Sequence, residues 1–107
     1  MIQHLILTPG QEPEARTAAL DYDAIVAMVG YPIEVINIDG GRAVMYACEE
    51  QNGQPKNEAA NQIAADSLRD DDYIVGTVVI VGPLGAGGVD TSLPNDTLTE
   101  LLERIQR

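Results

Sequence analysis

The sequence predicts one small α+β domain spanning residues 1–107, with a mixed or antiparallel sheet and helices packed on one of its faces. Three observations carry that expectation. The chain has 107 residues, the size of a single ordinary domain, enough to bury roughly 65% of its unfolded surface. β-rich runs alternate with stretches of helical spacing in the order β-α-β-β-α-β-α. One run, YIVGTVVIVG at 73–82, is apolar almost throughout and reads as the strand at the centre of the sheet.

The elements follow in order. Residues 2–8, IQHLILT, form a strand that the Pro9-Gly10 turn ends. Residues 11–19 read either as an exposed stretch or as a second short strand. Asp21 can cap a helix whose apolar positions Tyr22, Ile25, Val26 and Val29 recur at helical spacing, with Gly30 as its stop. Two β-rich runs then flank Asp39-Gly40-Gly41, where glycine supplies the positive φ of a tight hairpin. Asn57 caps a helix over 58–68 with a narrow stripe of Ala60, Ile63, Ala64 and Leu68, and Asp70, Asp71 and Asp72 end it. Gly76 inside the central run marks a bulge or a close backbone approach. A glycine-rich connection over 82–90 reads as flexible. The last helix, about 96–106, aligns Leu98, Leu101, Leu102 and Ile105, and Thr97 with Glu100 fits a capping box.

Composition narrows function. The apolar fraction is 45%, but there is no Trp or Phe and only four Tyr, so the core must be aliphatic. The net charge is −11, from 17 acids against 6 bases. That balance argues against direct nucleic-acid binding, whose affinity rests on neutralising phosphate. It suits a basic partner, or simply solubility. No apolar run reaches membrane-spanning length. MIQHLILTPG lacks a basic leader, so no signal peptide is expected. The single cysteine, Cys48, cannot form an internal disulfide, and a reduced, cytoplasmic setting is the expectation.

Reactive clusters are sparse. His4 is the only histidine and Cys48 the only cysteine, which argues against a His/Cys zinc site, and no metal or cofactor is expected. A Cys48–His4 nucleophile pair stays open, without local support. The loop GPLGAGGVD lacks the Lys-Ser/Thr ending of a phosphate-binding loop. Asp70-Asp71-Asp72 lacks the spacing of a calcium loop. Glu49 and Glu50 point to opposite faces if the strand continues, and form a pair only if the chain has turned.

The string VGYPIEVINIDGG, the acidic EE, then PKNEAA and DDYIVGTVVIVG resemble, in that order, domain-of-unknown-function family 3846. The resemblance spans about 25–82. It implies an origin in phages, plasmids or their bacterial hosts, and no activity. Pro55, Asn57 and Ala60 fit the pattern; Cys48 stands where Asn is usual, QNGQ replaces a compact Gly-Lys turn, and Asn61 stands where Thr is expected.

The residues CEEQNGQPKNEAANQIA (48–64) thus pose a choice between scaffold and site. Pro55, Asn57 and Glu58 have structural work at a helix start. Glu49, Glu50, Asn52 and Lys56 have none that is evident, so these residues, with Asn57 and with Arg42 as a further cation, form the candidate contact surface. Three functions compete. The first is a non-enzymatic acidic protein that binds and modulates a host protein through its charge and hairpin edge. The second is a binder of a small, nucleotide-like ligand. The third is a hydrolase using Glu49 or Glu50. The hairpin edge also leaves pairing with a second copy, a homodimer, open.

Overall fold

A computed structural model describes residues 1–50, 53–69 and 72–105. The strands are β1 (Ile2–Leu7), β2 (Glu14–Ala18), β3 (Ile33–Ile38), β4 (Ala43–Cys48) and β5 (Val78–Val81); the helices are α1 (Tyr22–Val29), α2 (Glu58–Ala64) and α3 (Asn95–Arg104). All strand pairs are antiparallel, in the order β2-β1-β5-β4-β3. The chain is an α+β domain, and the central position of the 73–82 run holds.

The order of elements differs from expectation by one strand. Residues 14–18 pair with β1, Ile2 opposite Ala18, and complete a β-hairpin. Only Ala18 of that strand is even half-buried, so no apolar alternation announced it. The central strand is also shorter than its sequence. Gly76 takes φ 73° and donates its N–H to Pro55 O at 2.9 Å, which breaks the run before Val78. Ahead of it Val75 makes an isolated antiparallel bridge with Lys56.

The helices do not share one face. α2 and α3 cover the side formed by Leu5, Leu7, Ile38, Met45, Val78 and Ile80. α1 packs on the other, against Ile6, Val44, Val79 and Val81. Both faces of β5 are therefore sealed, which is why VVIV shows no polar alternation. An antiparallel sheet commonly leaves one face to solvent, and the sequence offered no sign that α1 would take the second.

Local chemistry sets the helix ends. Asp21 accepts the N–H of Ala24 at 2.8 Å and caps α1, and Gly30 stops it at φ 100°. α2 runs to Ala64 and tightens into a single 3-10 turn, Ala65–Ser67. Asp72 donates its backbone N–H to Arg69 O at 3.0 Å beyond it, while Asp70 and Asp71 lie outside the described residues. The capping box at Thr97 is absent. α3 starts two residues earlier at Asn95, Thr97 is buried within its first turn, and Glu100 pairs with arginines.

The 82–90 connection is tied down at its base. Gly82 and Thr91 share a backbone hydrogen bond of 3.0 Å, Gly85 and Val89 one of 2.8 Å, and the Thr91 hydroxyl donates to Pro83 O. Gln3 O accepts the N–H of Leu93 at 2.8 Å, and the Gln3 side chain returns a bond to Leu93 O at 2.7 Å. These contacts seat α3 against β1.

Candidate functional site

The residues singled out in the sequence fall in different places. Asn57 is a scaffold residue. It is buried; its Oδ1 accepts the Ala60 N–H at 3.0 Å, and its Nδ2 donates to Leu7 O at 3.0 Å and Gly76 O at 2.8 Å. One amide thereby joins β1, the segment before β5 and the start of α2, and both its donor hydrogens are spent. Asn61 continues the network, donating to Asn57 O and Ile74 O and accepting the Ile74 N–H at 3.0 Å. At the position where the family pattern has Thr, an amide can do all three.

Arg42 lies at the far end of the hairpin from Glu49, since Ile38 pairs with Ala43 there and Ile33 with Cys48 at the other end. The six residues of β4 lie between the two, seven steps of strand or about 23 Å. Arg42 Nη2 sits 2.6 Å from Glu100 Oε2; Arg104 Nη2 lies 2.5 Å from Asp39 Oδ2 and 3.2 Å from Glu100 Oε1. Arg104 also reaches Ile63 O at 3.2 Å. The cluster fastens the hairpin loop to α3 and α2. The Arg42 guanidinium, helped by Arg104, holds the Glu100 carboxyl down at about 2.

Glu49 and Glu50 are exposed at the end of β4, where the Glu49 N–H donates to Pro32 O at 2.8 Å. Glu49 borders a recess of about 190 Å³ with Glu34, Asp72 and Tyr73. Lys56 Nζ stands 6.0 Å from the centre of the Tyr73 ring, at the outer limit of a cation–π contact. Asn52 lies outside the described residues. Among the described residues no group of three or more His, Cys, Asp or Glu is placed to hold a metal ion. His4 is buried, with Nδ1 at 2.8 Å from Ile2 O. β5 lies between β1 and β4, and Cys48 stands four residues along β4 from Val44, the residue in line with His4. Two strand spacings and four residues of rise put the thiol and imidazole at about 16 Å, far beyond proton-transfer reach.

A larger concavity than this recess lies elsewhere, on the α1 face. α1 has only eight residues, about 12 Å of helix, and it lies mainly over β4 and β5, reaching Ile33 of β3 but leaving Val35 52% exposed. The gap is a cleft of about 560 Å³ walled by Tyr22, Tyr31, Pro32, Val35, Tyr46 and Asp90. Three of the chain's four tyrosines meet there. Tyr46 donates its hydroxyl to Asp90 Oδ1. Burial and the adjacent Asp90 side chain together raise the Tyr46 pKa, so the phenol stays neutral. Tyr22, one of the apolar positions at helical spacing, is 58% exposed, and Tyr31 is 70% exposed. Sequence reading missed this site. The signal available was that three of the four aromatic rings in the chain sit at 22, 31 and 46, at the start of α1, in the turn after it and on β4.

Aromatic faces beside a lone carboxylate favour cationic or apolar groups and repel phosphate. The lining holds no thiol, imidazole or second carboxylate with which to move a proton or attack a carbonyl. No helix is long and apolar enough to cross a membrane among the described residues. The fold and cleft thus define a small antiparallel α+β domain whose prominent exposed features are a ring-lined cleft and an edge strand. The chain belongs to the family described as domain of unknown function DUF3846, whose model matches residues 2–106. The match is wider than the 25–82 stretch that carried the resemblance, and includes β1, β2 and α3. No curated protein and no solved structure matches the chain.

Proposed function

We propose that this protein is a non-enzymatic binding protein, in the mobile-element setting that the family resemblance suggests, and that it modulates a host protein by engaging a basic segment of it. The observation that carries the reading is the convergence of Tyr22, Tyr31, Tyr46 and Asp90 on one cleft in a chain of net charge −11. A lysine or arginine side chain satisfies both features, through ring faces and through charge, and the wider acidic surface steers it in. The contact surface moves accordingly, from the 48–57 stretch to the cleft and the adjoining β3 edge. The nucleotide-like ligand loses support, since Arg42 is engaged by Glu100 and the cleft presents a carboxylate.

The test is capture of host protein at low and raised salt by the wild type and by a Tyr22→Ala/Tyr31→Ala double variant. Both rings are mostly exposed, so the fold should survive their removal. The expected result is a salt-sensitive partner that the double variant loses. Equal capture by both proteins would refute the cleft as the contact.

A further inference from the structure

The sheet has two outer strands, and they are defended differently. β2 carries Glu14 and Arg16, both exposed and ion-paired at 2.7 Å, the usual guard against strand-to-strand association. β3, IEVINI, has a single charge, no proline and six regular residues. No strand of the described residues lies beyond it.

The ladder shows which backbone groups β3 offers. Glu49 donates to Pro32 O, so the hydrogen-bonded pairs with β4 are those in step with it: Glu34–Ala47, Ile36–Met45 and Ile38–Ala43. The N–H and C=O groups of Ile33, Val35 and Asn37 therefore point away from β4, to the open side. Val35 is 52% exposed and lies opposite Tyr46 in the ladder, with its side chain in the cleft wall.

We infer that β3 pairs antiparallel with β3 of a second copy about a two-fold axis at Val35, and that each cleft is completed by the other copy. The register follows by elimination. A one-residue shift pairs outward groups with inward ones and reverses the side-chain faces. Sliding two residues one way sets Glu34 directly opposite Glu34, a like-charge pair. Sliding two residues the other way leaves Ile33 facing the hairpin loop. Centred on Val35, all three outward residues find outward partners: Val35 faces Val35, Ile33 faces Asn37, and Glu34 faces Ile36.

The pairing bears on the cleft directly. In a single copy it runs out past Val35 into solvent. In the pair, the two β3 strands form a floor between two α1 helices. α1 lies over β4 and β5, so the helix axes stand about four strand spacings apart, roughly 19 Å. Helices of about 10 Å diameter leave a groove roughly 9 Å wide, the width of one extended chain. Tyr22 and Tyr31 of the second copy supply the far wall. This inference rests on the β3 edge and stands apart from the identity of any partner.

The oligomeric state tests it. Light scattering on the purified wild type at tens of micromolar should give a dimer. Val35→Glu and Val35→Lys, each checked for fold by circular dichroism, should be monomers. Their equimolar mixture should recover a one-to-one heterodimer by native mass spectrometry, because only this register places residue 35 against residue 35. A wild-type monomer, variants that stay dimeric, or a mixture of folded variants that does not associate would each overturn the pairing. Hydrogen exchange on the wild type needs no variant. The amides of Ile33, Val35 and Asn37 should gain protection as concentration rises, and amides that exchange freely in a dimer would place the interface elsewhere.

Discussion

Replacing Asn57 with alanine should be among the most damaging polar-to-alanine changes in the domain. The side chain is 1% exposed and makes three hydrogen bonds, one to the Ala60 N–H and one each to Leu7 O and Gly76 O. Loss of an asparagine cap costs about 1 kcal/mol. Each buried carbonyl deprived of its side-chain donor adds about 1 kcal/mol. The sum, about 3 kcal/mol, is a large part of the 5–15 kcal/mol that holds a domain of this size and lowers Tm by roughly 15 °C. Urea unfolding followed by far-UV circular dichroism reads the change as a lower midpoint with an unchanged slope. Asn57→Ser separates the contributions, since its hydroxyl keeps the cap and cannot reach both carbonyls; it should cost about 2 kcal/mol. An Asn57→Ala protein within about 0.5 kcal/mol of the wild type, the range of an unremarkable surface change, would refute the scaffold role. If that variant also lost its partner, the 48–57 stretch would return as the contact surface.

Other outcomes follow from the same contacts. Glu100→Gln should remove an acid-sensitive part of stability. The Glu100 pKa is lowered in the folded state to about 2, so its contribution is present above the unfolded value near 4.5 and lost as pH falls toward 2. The wild-type and variant stability curves, compared at several pH values, should therefore converge across that window. Raised salt should shrink their difference, because the cluster is solvent-facing. Gly82→Ala should cost more than about 2 kcal/mol by thermal melt, since a methyl group there would collide with the backbone oxygen of Ser92. In an ultraviolet titration, one tyrosine should resist ionisation at high pH, and Asp90→Asn should reduce that resistance without abolishing it, because burial contributes first and Asp90 second.

The elements legible in the sequence are those whose cause lies within a few residues. Asp21 and Asn57 cap their helices with their own side chains, and a cap is a local hydrogen bond. The hairpin at 33–48 could be read because Asp39, Gly40 and Gly41 all take positive φ, which few residue types tolerate. The centre of the sheet could be read because VVIV is buried on both sides. Elsewhere two readings competed. Thr97 and Glu100 match a capping box in spacing, yet the helix begins at Asn95 because Leu93 is pinned to β1 and Thr97 is drawn into the core. Residues 14–18 look polar because β2 is an edge strand with almost no buried face. Asn57 makes the cap that its position predicts, while its two further bonds run to carbonyls 50 and 19 residues away in the chain, which no local pattern encodes.

The sequence by itself determined the α+β class, the caps, the hairpin, the central strand and the acidic balance of the chain. These depend on periodicity, φ preference and net charge, which are properties of short windows or of the whole composition. The tertiary structure alone decided that α1 crosses to the second face of the sheet and leaves Val35 of β3 uncovered. From that one placement come the cleft, the meeting of Tyr22, Tyr31, Tyr46 and Asp90, and the open edge at Val35. The same packing carried Arg42 away from Glu49 and into its pairing with Glu100. Which surfaces remain uncovered is set by how elements distant in the chain share a limited area of sheet, and no local pattern encodes that partition.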